Sequence, residues 1–406
     1  MLISAKAVLL EPGEIVAPGT VRVLGSRIVE VAEDISCRPG EERIVLEDAV
    51  LSPGLINAHV HLDYSGLRGK LPSGSFPAWL KEIIRLKAAL RRTDLQASLE
   101  EGFARLAESG TTGVANIEAF PELLLWAEQF PLRCWWFLEL IDVRPHIWSA
   151  EATGAVLRFF DQPPGPLGKL GLAPHAPYTV SPELYRLVRE AARRFRLPVT
   201  THLSESPEEW EMFYHGDGAL LDLVRQAGRT AEKGREISPL QWLDRIGGLA
   251  PGMLLVHLNY LADADWALLA RRDYSVVHCP KSHAFFSYAP FPLERMLSLG
   301  IPICLATDSL ASNDSLDLRE EIRSARRKHP GIPAERWWEM VTAAPARALG
   351  YGGTLGEIRS GAWADLVAFR WKSGLDPWEA CCEGREEPLF LMVHGRVLKA
   401  EGRWHR

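Results

Sequence analysis

From Pro53 onward, short apolar runs alternate with segments of helical periodicity. Eight runs stand out: the one at Leu55, then Thr112–Ile117, Leu132–Leu140, Leu167–Ala173, Val199–Leu203, Met253–His257, Ser275–His278 and Ile303–Thr307. Runs this short, apolar rather than alternating, read as parallel strands buried on both faces. Between them Ala78–Leu90, Leu95–Glu108, Pro182–Phe195 and Leu316–Arg327 carry apolar residues at helical spacing. Alternating βα units predict an α/β fold, a TIM-like (β/α)8 barrel. The two ends have a different texture. Leu2–Leu10, Thr20–Leu24 and Arg27–Val31 read as strands punctuated by glycine, and so do 364–369 and 389–394. The ends therefore come together as one β-rich unit with the barrel inserted between them.

The apolar runs end on reactive residues. His59 and His61 close the first, His202 follows Pro198–Thr201, His257 ends Met253–Val256, and Asp308 follows Ile301–Thr307. Reactive groups of a parallel barrel gather at the strands' C-terminal ends. Three imidazoles and one carboxylate meeting there form a zinc-type site, with a fourth imidazole beside it. His59-Val60-His61 alone is weak: 12 histidines in 406 residues give about 0.35 such spacings by chance. His202 reads as a ligand, Glu205 as a proton shuttle beside it, His257 as a residue that positions water, and Asp308 as a ligand rather than a helix cap. Glu208, Glu209 and Glu211, which follow Glu205, read as surface acids of a helix start, where acids are favoured. His175 closes another strand and suits a second metal or the substrate. No lysine at a strand end suits a bridging carbamate, which favours one divalent metal with His175 contacting substrate.

Composition narrows the function classes. A net charge of −6 without a basic run argues against nucleic-acid binding. The six cysteines show no paired spacing; Cys37, Cys134, Cys279 and Cys304 read as buried thiols, Cys381 and Cys382 as surface or loop thiols. No apolar stretch reaches membrane-spanning length and no signal peptide precedes the first strand, so a cytoplasmic location is expected and no membrane partner.

Ordered motifs carry a resemblance. The segments are LSPGLINAHVHLD (51–63), LGLAPHAPYTVSPEL (170–184), THLSES (201–206), LLVHLNYL (254–261), VVHCPKSH (276–283) and ATDSLASNDSLDLREEI (306–322). TAAPARALG (342–350) and GEIRSGAWADLVAF (356–369) complete them. Together the chain resembles the amidohydrolase superfamily, in its mononuclear metal-dependent deaminase and chlorohydrolase branch. Within it, 57–65, 208–220 and 279–286 resemble the aminodeoxyfutalosine deaminases of menaquinone biosynthesis. The resemblance implies a barrel at 54–355 and a composite β-sandwich from 1–53 and 356–406. It makes His59, His61, His202 and Asp308 the metal ligands, Glu205 the shuttle, His257 the residue polarising water, and His175 a substrate contact. Where many relatives have Asn after the CP-S motif, this chain has His283.

The expected chemistry is hydrolytic deamination. Zinc, with iron(II) as the alternative, lowers the pKa of water towards about 7, and Glu205 moves protons to the ring nitrogen and leaving amine of a 6-aminopurine nucleoside. Deamination of adenosine, S-adenosylhomocysteine or another amino-heterocycle, hydrolysis of a cyclic amide or chlorotriazine, and a non-catalytic assembly role are the alternatives. Trp79, Arg144, Ser282 and His283 are candidates for lining the substrate pocket, with Arg133, Lys281 and Arg68 as further cations for a substrate carboxylate. The partner is a small molecule; a homodimer is left open.

Overall fold

The computed structural model describes residues 1–144, 148–161, 165–228, 236–271, 274–371 and 374–405, the last three by backbone alone. The N-terminal segment supplies β1 (Leu2–Leu9), β2 (Ile15–Val16), β3 (Gly19–Leu24), β4 (Arg27–Ala32) and β5 (Arg43–Pro53). The central segment supplies β6 (Leu55–Val60), β7 (Thr111–Glu118), β8 (Arg133–Leu140), β9 (Gly168–Pro174), β10 (Thr200–Leu203), β11 (Met253–His257), β12 (Tyr274–His278) and β13 (Ile303–Leu305). The C-terminal segment supplies β14 (Leu366–Arg370), β15 (Phe390–Val393), β16 (Arg396–Ala400) and β17 (Arg403–His405).

All eight central runs are strands, and they pair in chain order as two four-stranded parallel sheets, β6–β9 and β10–β13. The ladder is interrupted between β9 and β10, where a single bridge joins Leu172 to Val199. Pro198, which has no N–H to donate, stands at that seam; its carbonyl accepts the Leu172 N–H at 3.0 Å. At the other seam β13 is only three residues long, and the Asp308 N–H reaches the His59 carbonyl at 3.2 Å. One apolar cluster draws on both sheets: Ile56, Ala58, Ile117, Trp135, Phe137 and Ala173 from the first, Leu254, Val256, Val277 and Cys304 from the second. Residues between these, such as Val114, Trp136, Leu255 and Ile303, pack into other clusters. That is the period-two alternation of strands covered on both sides.

The terminal strands form one nine-stranded sheet, order β16-β15-β14-β5-β1-β3-β4, with β17 also on β5 and β2 on β1. The expected pair of stacked sheets is thus a single hydrogen-bonded sheet among the described residues, because the long β5 accepts C-terminal strands along one edge and β1 along the other. Only Gly54 separates β5 from β6. A Cβ there would lie 2.1 Å from Thr112 Oγ1, so the close approach requires glycine.

Two cysteine expectations are corrected. Cys37 is exposed, whereas Cys381 and Cys382 are buried. The latter pair sits on the helix Pro377–Glu383, capped by Asp376, whose buried face packs into the main core. No helix among the described residues is long and apolar enough to cross a membrane.

Candidate metal-centred active site

His59 and His61 leave β6 just before the 3-10 helix Leu62–Leu67. His202 comes from β10, His257 ends β11, and Asp308 lies three residues beyond β13. These residues, up to 249 positions apart, meet in one place. The His59 ring centroid is 5.0 Å from that of His61, 4.9 Å from His202 and 6.0 Å from His257. His59 Nε2 lies 3.6 Å from Asp308 Oδ1, and the Nε2 atoms of His61 and His202 face each other at 3.2 Å. Two donor sets have their ligand atoms within 4.8 Å of one another: His59, His202 and His257, and His59, His61 and Asp308.

Burial pushes the His61 and His257 imidazoles well below their ordinary range and takes His175 and His202 down to about 3. They are neutral near pH 7, the form that ligates metals. His202 Nδ1 can only donate to the His175 carbonyl, 2.9 Å away, which leaves the Nε2 lone pair facing inward. Both nitrogens of His59 and Nδ1 of His61 are buried without a hydrogen-bond partner. Buried polar atoms left in that state are costly, and a divalent cation between His59 and Asp308 would satisfy the His59 Nε2 atom that faces the cluster. Burial alone would raise the Asp308 carboxyl, but the close approach of His59 at 3.6 Å and the surrounding imidazoles hold it well below the carboxylate range. Ser282 Oγ at 2.7 Å, Ser312 Oγ at 3.2 Å and the Ser309 N–H at 2.8 Å also donate to it. The residues present fit a divalent metal.

Glu205 stands across the cleft, its Oε1 3.6 Å from His257 Nε2. Burial, then the charges of Asp308, Glu209 and Glu208, push its carboxyl well above the usual carboxylate range, which favours the protonated form. His175 borders the same cleft, with Nδ1 2.7 Å from Thr179 Oγ1. Since Thr179 Oγ1 donates to the Ala176 carbonyl, His175 Nδ1 is the donor and Nε2 is free to accept. Tyr64, Phe76, Trp79 and Tyr178 supply aromatic wall, with Tyr64 stacked on His61 at 5.2 Å.

The remaining candidates divide. Trp79 lines the cleft and donates to the Ala311 carbonyl. Ser282 touches Asp308 rather than the cleft. His283 does not line it either: its buried ring bonds the Ala289 carbonyl at 2.8 Å. Arg144 is exposed and lies in a neighbouring cavity of about 730 Å³, which shares Glu139 with the cleft. Arg133 starts β8, at the end opposite the cleft, and is locked to Asp365 at 2.9 and 3.1 Å. Lys281 is paired with Asp314 and Glu320, and Arg68 lines a separate surface groove. Sequence reading missed Tyr64, Tyr178 and Glu139. Glu139 was within reach, because it stands near the end of a strand, as His257 does.

A family model for the amidohydrolase family matches residues 50–398. The chain belongs to the amidohydrolase family. The relatives of this amidohydrolase include an aminodeoxyfutalosine deaminase of Deinococcus radiodurans, 31% identical over 382 residues, covering 89% of this chain and 87% of the relative. A 5-methylthioadenosine/S-adenosylhomocysteine deaminase of Syntrophobacter fumaroxidans is 31% identical over 386 residues, covering 90% and 83%. Among solved structures, a zinc-bound adenosine deaminase of Xanthomonas campestris superposes with a TM-score of 0.83 at 27% identity, covering 98% of this amidohydrolase and 92% of its own chain.

Proposed function

We propose that this amidohydrolase is a metal-dependent hydrolytic deaminase of 6-aminopurine nucleosides. The single observation that carries the reading is the juxtaposition of the buried Glu205 carboxyl, 3.6 Å from His257, with His59, His61, His202 and Asp308 converging beside it. The names of the similar proteins support it. His59, His61, His202 and Asp308 would hold one divalent cation, for which we propose zinc, in keeping with the zinc-bound relative. Such a cation makes water a nucleophile near neutral pH. The chain's own residues do the rest. His257 and Asp308 orient the water towards C6 of the purine. Glu205 gives its proton to the adjacent ring nitrogen as the C–O bond forms. One proton of the water passes by way of Asp308 and Glu205 to the amine, the C–N bond breaks and ammonia leaves, and the second proton of the water returns Glu205 to its acid form as the keto group forms. Tyr64, Trp79 and Tyr178 enclose the base, and His175 contacts it. Arg144, though exposed, lines the neighbouring cavity that shares Glu139 with the cleft, and would meet the part of the substrate beyond the ribose.

Two architectural readings accompany this one. The two four-stranded sheets act as one eight-stranded barrel at 54–355, a reading supported by their shared apolar cluster and the two seam contacts. Residues 1–53 and 356–406 make the companion β-domain. Among nucleosides, we propose aminodeoxyfutalosine, hence a step of menaquinone biosynthesis, on the strength of the similar Deinococcus enzyme and the motifs at 57–65, 208–220 and 279–286. Ammonia release from a panel of aminodeoxyfutalosine, 5'-deoxyadenosine, methylthioadenosine, S-adenosylhomocysteine and adenosine tests it. The largest kcat/KM should fall on aminodeoxyfutalosine. Equal turnover of adenosine would remove the narrow assignment, and no ammonia from any of the five would remove the deaminase itself.

A further inference from the structure

Of the acids that follow Glu205, Glu209 does not sit on the surface. It is completely buried at the third position of the helix Pro207–Tyr214. Ser206-Pro207-Glu208-Glu209 has the spacing of a capping box, and half of the box is present: Ser206 Oγ accepts the Glu209 N–H at 3.1 Å. In that motif the glutamate reaches back to the N–H of the capping residue. Here its Oε2 reaches one residue further and accepts the N–H of Glu205 at 2.8 Å. The other oxygen, Oε1, is buried without a partner. A helix start already capped by Ser206, with proline at its first position, does not need a second, buried acid.

The opposite face of the same residue is also held. Asn259 Nδ2 donates to the Glu205 carbonyl at 2.8 Å. The N–H groups of Asn259 and Tyr260 donate to the Ser204 carbonyl at 3.0 and 3.2 Å. Both backbone polar groups of Glu205 are thus bonded by side chains from two different elements. The clamp spans a strained point, since Ser204 has φ 51°, a left-handed conformation uncommon for a residue with a Cβ.

We propose that Glu209 and Asn259 are positioning residues for the deamination, holding the Glu205 backbone in the turn that presents its carboxyl to the cleft. The inference rests on the deaminase reading and adds two residues that touch neither the metal ligands nor the base. Misplacing a reacting group by about 1 Å costs up to about 10²-fold in rate, so the loss should fall on kcat.

The test measures ammonia release from a nucleoside that the wild type turns over, with metal content alongside. Glu209→Ala should lower kcat at least about tenfold with KM within about threefold and metal unchanged. Glu209→Gln, which keeps the accepting oxygen, should recover to within about threefold of wild type. Asn259→Ala should repeat the kcat-specific loss. A Glu209→Ala enzyme with near-normal kcat, a loss confined to KM or metal content, or a Gln variant as impaired as Ala would overturn the inference. Should Glu209→Ala fail to fold, a wild-type kcat for Asn259→Ala decides against it. Backbone hydrogen exchange separates this outcome from failure of the deaminase reading. Whether or not ammonia is released, the Glu205 amide should exchange at least about tenfold faster in Glu209→Ala than in the wild type and stay near wild type in Glu209→Gln, while the Leu258 amide keeps its protection.

Discussion

His202 Nδ1 donates to the backbone carbonyl of His175 at 2.9 Å, and that one bond fixes which nitrogen of His202 points into the cleft. The carbonyl belongs to His175, which borders the same cleft, so the orientation of a proposed metal ligand depends on the backbone of a proposed substrate contact. Removal of the imidazole by His202→Ala should abolish tight binding of the divalent metal while the fold persists. Elemental analysis should give one metal per wild-type chain and a small fraction of that in the variant. Full occupancy in His202→Ala would contradict the donor set.

Glu205→Gln should retain the metal and lose turnover. The amide cannot deliver the proton that the buried carboxyl carries, and loss of a positioned acid typically costs about 10²–10⁴ in rate. Metal analysis and steady-state kinetics on one preparation check both halves; near-normal turnover would remove Glu205 from the role.

The pH profile follows from the same carboxyl. Burial and three neighbouring carboxylates raise Glu205. Its protonated form is the active acid, so activity is fully present below the raised value and lost as pH rises through it. kcat/KM should therefore stay level through neutral pH and fall on the basic side. A rate that climbs steadily from pH 6 to about pH 9, as for a group needed in its ionised form, would show the sign to be wrong.

Arg133 and Asp365 should matter to stability and not to substrate. The pair is buried, with side chains 3% and 1% exposed, and ties β8 to the loop before β14. Asp365→Ala leaves the guanidinium buried without its carboxylate, and such losses typically cost about 3–5 kcal/mol. Chemical denaturation should show it, with KM of the folded variant unchanged.

The strands, and the convergence of polar residues at their ends, were legible because both depend on local signals. A buried parallel strand has to be apolar, so each of the eight central runs is visible, and a polar residue that ends such a run needs a reason to be there. Charges at strand starts carry no comparable mark. Arg133 looks like any cation beside an apolar run, and only the tertiary placement of Asp365, 232 residues later, shows that it is engaged. His283 reads as a pocket-lining residue from its place after an apolar run, yet the helix Pro280–Phe285 turns its ring onto Ala289. Glu209 was misjudged because helix-start acids are normally solvated, and its burial depends on the turn at Ser204.

The passage from β5 through Gly54 into β6 has a consequence for any shortened form of the protein. β5 is eleven residues long and depends on β14 and β17 to cover one edge. A chain cut after 356 would keep every proposed metal ligand but leave that edge with open N–H and C=O groups flanked by Leu46, Val50 and Leu51. Unpaired apolar edges recruit other chains. Such a fragment would be lost to self-association before its chemistry could be measured, so the C-terminal strands act as a solubility guard for a strand six residues upstream of His59.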